Sequence, residues 1–385
     1  MVVSPPELPV PILMLVVFGA AKLLAEIFEN LNLPGIAGEI LAGVIIGPSL
    51  LGWVHPTGLA VSLGDLGVMF LLFRVGLDMR STELMRVGIT AATVAAGGIV
   101  CSFGLAWGVL HLWGVPPLEA LFVSAALAAT SAGISAEVLS RSGLINQKAA
   151  RIILAAAVID DIGGLIVLTI VSSVARGSVD APRLAFTVLL AIAFVVAVAR
   201  WGPQIIETVF SRAESRLRVA EAEFTLTICL LFALSVISLY TGIASVIGAF
   251  LAGLALSERA GHRVRTLIHG ATELLVPFFL AGIGLRVDLA ALRSPRIAAL
   301  TAVIFAIAVI GKLAGCSLGA LKHGAWKVGV GMIPRGEVTM VVAQLGLTMG
   351  VVTQSVFSGV VAAAAATTLI APALIRRAFR IETAP

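Results

Sequence analysis

Two neighbouring aspartates, Asp160 and Asp161, stand in the middle of an apolar run from Ile152 to Val171 that holds no lysine or arginine. Paired carboxylates offer hard oxygen ligands that suit a partly dehydrated monovalent cation, and they bind and release protons as one coupled pair. If the run crosses a bilayer, each ionised carboxylate near its centre costs several kcal/mol, with estimates from about 3 to above 10. A chain tolerates that cost mainly where the charges bind something, so the pair reads as a cation and proton site; a structural pair bonded to helix ends or arginines is the alternative. Successive helix residues point about 100° apart, so the two cannot face one ion equally. One faces a cation cavity and the other a partner. Lys312 is the candidate partner, because its flanks Ala302–Gly311 and Leu313–Leu321 hold no acid. A desolvated, unpaired ammonium is unstable, which makes a Lys312–Asp160 pair a proton-carrying switch, opened when a cation recruits the carboxylate.

Other polar groups lie inside apolar stretches. Arg335 and Glu337 flank Gly336 and are expected to offset each other and nearby helix dipoles. Thr130 and Ser131 either lend oxygens to a cation or make plain polar contacts. Glu39 and Glu137 are expected to hydrogen-bond between helices, and Asp65 and Asp78 lie nearer segment ends. None of the 5 histidines has a metal-like neighbourhood, so no catalytic group, cofactor or resident metal is expected beyond a monovalent cation at Asp160 and Asp161.

The elements that must hold these groups are membrane helices. Of 385 residues, 59% are hydrophobic and only 12% charged, too little polar surface to cover a soluble core. Basic residues are scattered over short loops, which argues for membrane topology and against nucleic acid despite a net charge of +5. Cys101, Cys229 and Cys316 read as small core residues, and no basic stretch precedes the first apolar run, so a cleaved signal peptide is not expected. Thirteen spans are expected, near 10–29, 34–51, 58–78, 87–111, 118–140, 148–174, 184–200, 221–240, 242–257, 270–287, 297–319, 326–348 and 352–375. Continuous apolar runs exclude the alternating pattern of a barrel. Setting aside Lys22, Arg74, Lys312 and Arg335 deep within spans, 17 of the 26 basic residues fall in loops or at span ends on one side and 5 on the other, which places the N-terminus outside and the C-terminus in the cytoplasm.

Gly38-Glu39-Ile40-Leu41-Ala42-Gly43 resembles Gly248-Ala249-Phe250-Leu251-Ala252-Gly253, each after a Gly-Ile-Ala triplet at Gly35 and Gly242; Gly76-Leu77 resembles Gly284-Leu285. The offsets, 210 and 208, suggest duplication of spans 1–6 as spans 8–13, inverted because seven crossings separate the two starts. Ala129-Thr130-Ser131-Ala132-Gly133 in span 5 and Pro334-Arg335-Gly336 in span 12 then fall at matching mid-depths. Two interrupted helices in corresponding halves point to a transport site.

With Ile159-Asp160-Asp161, Lys312, Pro334-Arg335-Gly336-Glu337 and the Gly35–Gly47 segment, the chain resembles the monovalent cation/proton antiporters of the bacterial NapA and NhaA kind, over nearly its whole length. The resemblance implies an all-α polytopic fold with two inverted six-helix repeats and crossing broken helices. It implies a homodimer, with a dimerisation part near 1–85 and 184–290 and a core near 86–174 and 294–378. Elevator-type alternation of that core against the dimerisation part is implied as well. By position it makes Asp161 the main cation-binding carboxylate and pairs Asp160 with Lys312. An aspartate rather than an asparagine at 160 points to the electrogenic branch. The expected function is therefore Na⁺ (or Li⁺) exchange for H⁺ across the cell inner membrane by a single membrane domain, not an enzyme. Its partners would be cations, protons and membrane lipid. The potassium-efflux relatives carry a soluble nucleotide-binding domain that is not expected here. A K⁺/H⁺ exchanger is the nearest rival. An intramembrane aspartyl protease needs its aspartates on separate helices, and an uncoupled channel would conduct without pH linkage.

Overall fold

The computed structural model describes residues 8–379 apart from positions 32, 57, 80, 177–180, 215–221, 242–243 and 323. Among the described residues there are α-helices and one 3-10 turn, and no strand. The helices are α1 (Val10–Asn30), α2 (Gly35–Ile46), α3 (Gly58–Leu77), α4 (Ser81–Leu112), α5 (Pro117–Ala128), α6 (Ala132–Arg141), α7 (Lys148–Arg176) and α8 (Ala181–Glu214). There follow α9 (Ala222–Tyr240), α10 (Ser245–Leu256), α11 (His262–Leu285), α12 (Pro295–Gly319), α13 (Ala325–Gly331), α14 (Glu337–Thr348) and α15 (Gln354–Phe379). Proline opens α5 and α12, where its missing N–H costs nothing because the first amides of a helix have no internal acceptor.

Each expected span coincides with a helix or an interrupted pair. Among the described residues, ten segments are long and apolar enough to cross a bilayer, and Gly35–Ile46, Ser245–Leu256 and Val338–Thr348 are shorter apolar helices. Leu15, Ile89, Leu112 and Leu189 point outward from their helices, as side chains bathed by acyl chains would. Cys316 is buried and Cys101 half-buried, but Cys229 is exposed on α9, so the expectation of three core cysteines fails for that one.

The two largest boundary differences from the sequence expectation are at α8 and α11. Helix α8 runs on to Glu214 rather than stopping near 200, with Pro203 inside it, and α11 begins at His262 rather than 270. Helices propagate on backbone hydrogen bonds and one packed face, not on apolarity all round. Beyond Arg200 the face carrying Ile206 and Phe210 is buried while Ile205 and Val209 stay exposed; Val264 and Ile268 anchor the start of α11. Arg200, Arg263 and Arg265, expected in loops, are therefore helical.

The two halves pack alike. Helix α1 lies on α2 as α9 lies on α10; α2 meets α11 as α10 meets α3; α4 meets α7 as α12 meets α15. The matched glycines sit at these crossings. A Cβ on Gly43 would overlap the carbonyl of Ala281, one on Gly253 that of Phe73, one on Gly284 that of Ile40, and one on Gly76 that of Phe250. The residues faced, like the glycines, are offset by 208 (281 against 73) and 210 (250 against 40). The second Gly-Ile-Ala triplet begins at positions 242–243, outside the described residues, as do Arg80, Arg216, Arg218 and Arg380 of the charge count.

Candidate functional site

Helix α5 stops at Ala128 and α6 starts at Ala132, with Ala129 and Ser131 in extended backbone. Helix α13 stops at Gly331 and α14 starts at Glu337. In the second break the cause is local: Pro334 lacks an amide donor and disfavours helix at Ile333. The first break contains no proline, and its backbone finds partners in the second. Ser131 N–H donates to the Pro334 carbonyl (2.8 Å), and the Ser135 hydroxyl donates to the Gly331 carbonyl (2.6 Å). Nearby, Thr339 Oγ1 donates to the Ala126 carbonyl (2.8 Å). A Cβ on Gly336 would stand 2.5 Å from Ser131 Oγ, so glycine lets the two breaks touch.

Arg335 locks this crossing. It is fully buried, and its guanidinium donates to the carbonyls of Ala129 and Ala308 (the latter at 3.0 Å) and to Ser102 Oγ (3.3 Å). Its amide donates to Thr367 Oγ1 (3.2 Å) and its carbonyl accepts from Thr368 Oγ1 (2.6 Å). The charge therefore sits on the carbonyl just past the end of α5, where a cation complements the negative end of the helix dipole. Glu337 opens α14, but its side chain lies outside the described residues, and so does the expected offset between it and Arg335.

Lys312 Nζ donates to Asp160 Oδ1 at 2.6 Å, with both side chains wholly buried. The pair joins α12 to α7. Gly98 of α4 makes room for it: a Cβ there would lie 3.2 Å from Lys312 Nζ. The second oxygen, Asp160 Oδ2, is buried with no hydrogen-bond partner among the described residues. Asp161 follows on α7, 6% exposed. One turn further, the Cβ position of Gly164 lies 3.6 Å from Ala129 Cβ, which sets this face of α7 against the first break. Thr130 and Ser131 are in that break. The Thr130 hydroxyl reaches the Met332 carbonyl only at 3.5 Å, and Ser131 makes no side-chain capping bond to α6. The structure thus gathers Asp160, Lys312, Thr130, Ser131 and Arg335 around one crossing, with Asp161 beside Asp160.

Glu39 and Glu137 are not part of it. Both are buried and share Arg141: Arg141 NH2 donates to Glu39 Oε1 at 3.0 Å, and its Nε donates to Glu137 Oε1. The bond to Glu39 joins α6 to α2, whereas Glu137 bonds within its own helix rather than between helices, both through a residue that the sequence offers only as a loop charge. The four-residue spacing of Glu137 and Arg141 on one helix was the signal available. Ser102, Thr339, Thr367 and Thr368 were also missed; isolated hydroxyls in apolar helices carry no pattern. Among the described residues no group of three or more His, Cys, Asp or Glu could hold a metal ion.

Charges buried between interrupted helices of an apolar bundle define an ion-translocating membrane protein. Residues 13–380 match the family model described as sodium/hydrogen exchanger, transmembrane, and the chain belongs to that family. It is 31% identical to the high-affinity Na⁺/H⁺ antiporter NhaS3 of Synechocystis, over 95% of this chain and 89% of the relative. It is equally similar, at 31%, to the Na⁺/H⁺-K⁺ antiporter GerN of Bacillus cereus (94% of each chain), and 30% identical to a Na⁺/H⁺ antiporter of Enterococcus hirae (91% and 93%). Its fold is that of the sodium proton antiporter MjNhaP1 from Methanocaldococcus jannaschii, with a TM-score of 0.67 over 96% of both chains at 17% identity. These relatives are cation/proton antiporters, secondary transporters rather than enzymes.

Proposed function

We propose that this protein exchanges Na⁺ for H⁺ electrogenically, by competition of the two ions for Asp160 and Asp161. The observation that carries the reading is the wholly buried Lys312–Asp160 pair against the crossing breaks. An ionised Asp161 with nothing bound is costly at mid-membrane; Na⁺ or a proton removes that cost, so loaded states cross and the empty one does not. When Na⁺ takes Asp161 and draws Asp160 from Lys312, the ammonium loses its counter-ion in an apolar core and gives up its proton. Together with the proton displaced from Asp161, two H⁺ then move against one Na⁺, which transfers net charge. Thr130 and Ser131 would complete the oxygen shell.

The same reading has thirteen crossings in two inverted six-helix repeats of an NhaA-like fold, supported by the matched packing and matched glycine contacts of the halves. The core (86–174 and 294–378) moves elevator-fashion against a dimerisation part (1–85 and 184–290) of a homodimer in the inner membrane. The N-terminus faces out and the C-terminus the cytoplasm.

Solid-supported-membrane currents on reconstituted protein, scanned over cation and pH, test the mechanism. Wild type gives Na⁺-driven currents that fall as pH drops. Raising Na⁺ tenfold moves the acid limb roughly half a pH unit lower, as displacement of two H⁺ by one Na⁺ requires. Asp161→Ala gives no exchange above protein-free vesicles; retained exchange overturns the assignment. Asp160→Asn lowers or abolishes the current while dye-detected exchange persists, and an unchanged current refutes the Lys312 switch. A second reading, K⁺/H⁺ exchange at the same site, is favoured by the similarity to a Na⁺/H⁺-K⁺ antiporter; K⁺-driven current in the same scan decides it.

A further inference from the structure

Arg141, on α6 of the core, reaches across to Glu39 on α2 of the dimerisation part at 3.0 Å. Glu39 is fully buried, so the contact is a charge pair inside the boundary along which the proposed parts slide. Within the dimerisation part, helices touch backbone to backbone at glycines. Helix α6 instead meets that part through side chains, its Gly133 facing Val68 and Phe279. Side-chain faces can slide past one another; a directional ion pair cannot.

The neighbours of the pair show how it opens. Glu39 has a second cation on its own side, Lys22 of α1, with Nζ 3.6 Å from the same oxygen. Arg141 has a second anion on its own helix, Glu137. Behind Lys22 the charges continue to Glu273 of α11 at 3.7 Å, and from Glu273 to Arg74 of α3 at 3.5 Å. If α6 moves away from α2, Arg141 leaves with Glu137 and Glu39 stays with Lys22. Neither charge is stranded, which is what makes the break affordable in a buried setting. The pairings that remain on opening, Arg141–Glu137 and Lys22–Glu39, are already in place here, so one bond breaks and two charges keep a partner.

We infer that the Arg141–Glu39 pair is a latch between core and dimerisation part that closes in the conformation described here and opens in each transport cycle, with Arg141 as a positioning residue for the exchange. The inference rests on the two-part reading of the transport movement. A cavity of about 720 Å³ beside the latch supplies the reporter: Ser140, Gly143 and Asn146 line it from the core, and Arg74, Asp78, Ser257 and Arg265 from the other part.

In protein with Cys101, Cys229 and Cys316 replaced by serine, Asn146→Cys is labelled with a membrane-impermeant maleimide in inside-out vesicles, in Na⁺ and in choline. Labelling in the parent should change between the two media. Adding Glu39→Gln, which unhooks α2 but leaves Arg141 its Glu137, should shift the labelling rate and the apparent KM for Na⁺ at least threefold. Glu137→Gln, which leaves the bridge to Glu39 but removes the anion that holds Arg141 once the bridge opens, should shift both in the opposite direction. If Glu39→Gln fails to insert, Glu39→Asp, one methylene shorter with the charge kept, carries the same comparison. Shifts of the two substitutions in the same direction, or no effect of Glu39→Gln on labelling and KM, overturn the latch while leaving the two-part movement intact. Labelling in the parent that ignores Na⁺ overturns the two-part movement and the latch with it.

Discussion

Two crossings hold this protein together, and they are made from opposite materials. Where α2 and α10 cross α11 and α3, glycines bring backbone against backbone with no charge at the contact. Where α5/α6 crosses α13/α14, both helices are interrupted, and the contact is made of carbonyls, hydroxyls and the guanidinium of Arg335. The first kind of contact is many weak dispersion interactions that any separation would lose together. The second is a few directional bonds that can be exchanged one for another. A transporter needs both: a frame that does not give, and a polar centre where charge can be bound and released.

The comparison can be broken most forcefully at the charged centre. Lys312→Met leaves Asp160 buried without its counter-ion and should cost on the order of 3–5 kcal/mol of stability. The double variant Lys312→Met/Asp160→Asn should regain much of that loss. Thermal unfolding in detergent reads both, and additive losses would mean the two residues are not coupled. The frame is tested next. Gly284→Leu forces side-chain atoms into the Ile40 carbonyl and should cost about 1–3 kcal/mol or prevent insertion. Gly104→Leu, facing open space on α4, should be close to neutral. If the two glycines respond alike, close approach is not what holds the frame. The smallest effect should come from one bond of the polar crossing. Thr339→Val removes the hydroxyl that donates to Ala126 and should cost about 1 kcal/mol in the same melt.

Much of this was legible beforehand where the pattern was local or strongly constrained. Acids in an apolar run announce themselves because hydrocarbon penalises charge so heavily, and Lys312 could be paired with Asp160 because its own stretch offers no acid. Pro334 marked the second break by its missing amide. The ends of α8 and α11 were read wrongly, since their amphipathic turns are held by one buried face, and apolarity alone does not register such a face. From sequence Arg141 reads as a loop charge, because its partner Glu39 is 102 positions away.

By itself, then, the amino-acid order determined that the chain lives in lipid, that it crosses as helices, and that an acid pair and a lysine must be buried within them. These follow from composition, periodicity and the cost of charge in hydrocarbon, which act on each segment alone. Only the three-dimensional arrangement decided that the break at Ala129–Ser131 is satisfied by the one at Pro334, that Arg335 closes the gap between them, and that Arg141 reaches across to Glu39. Those are contacts between distant segments, chosen by where packed helices leave a carbonyl or carboxylate in reach, and no local pattern encodes them.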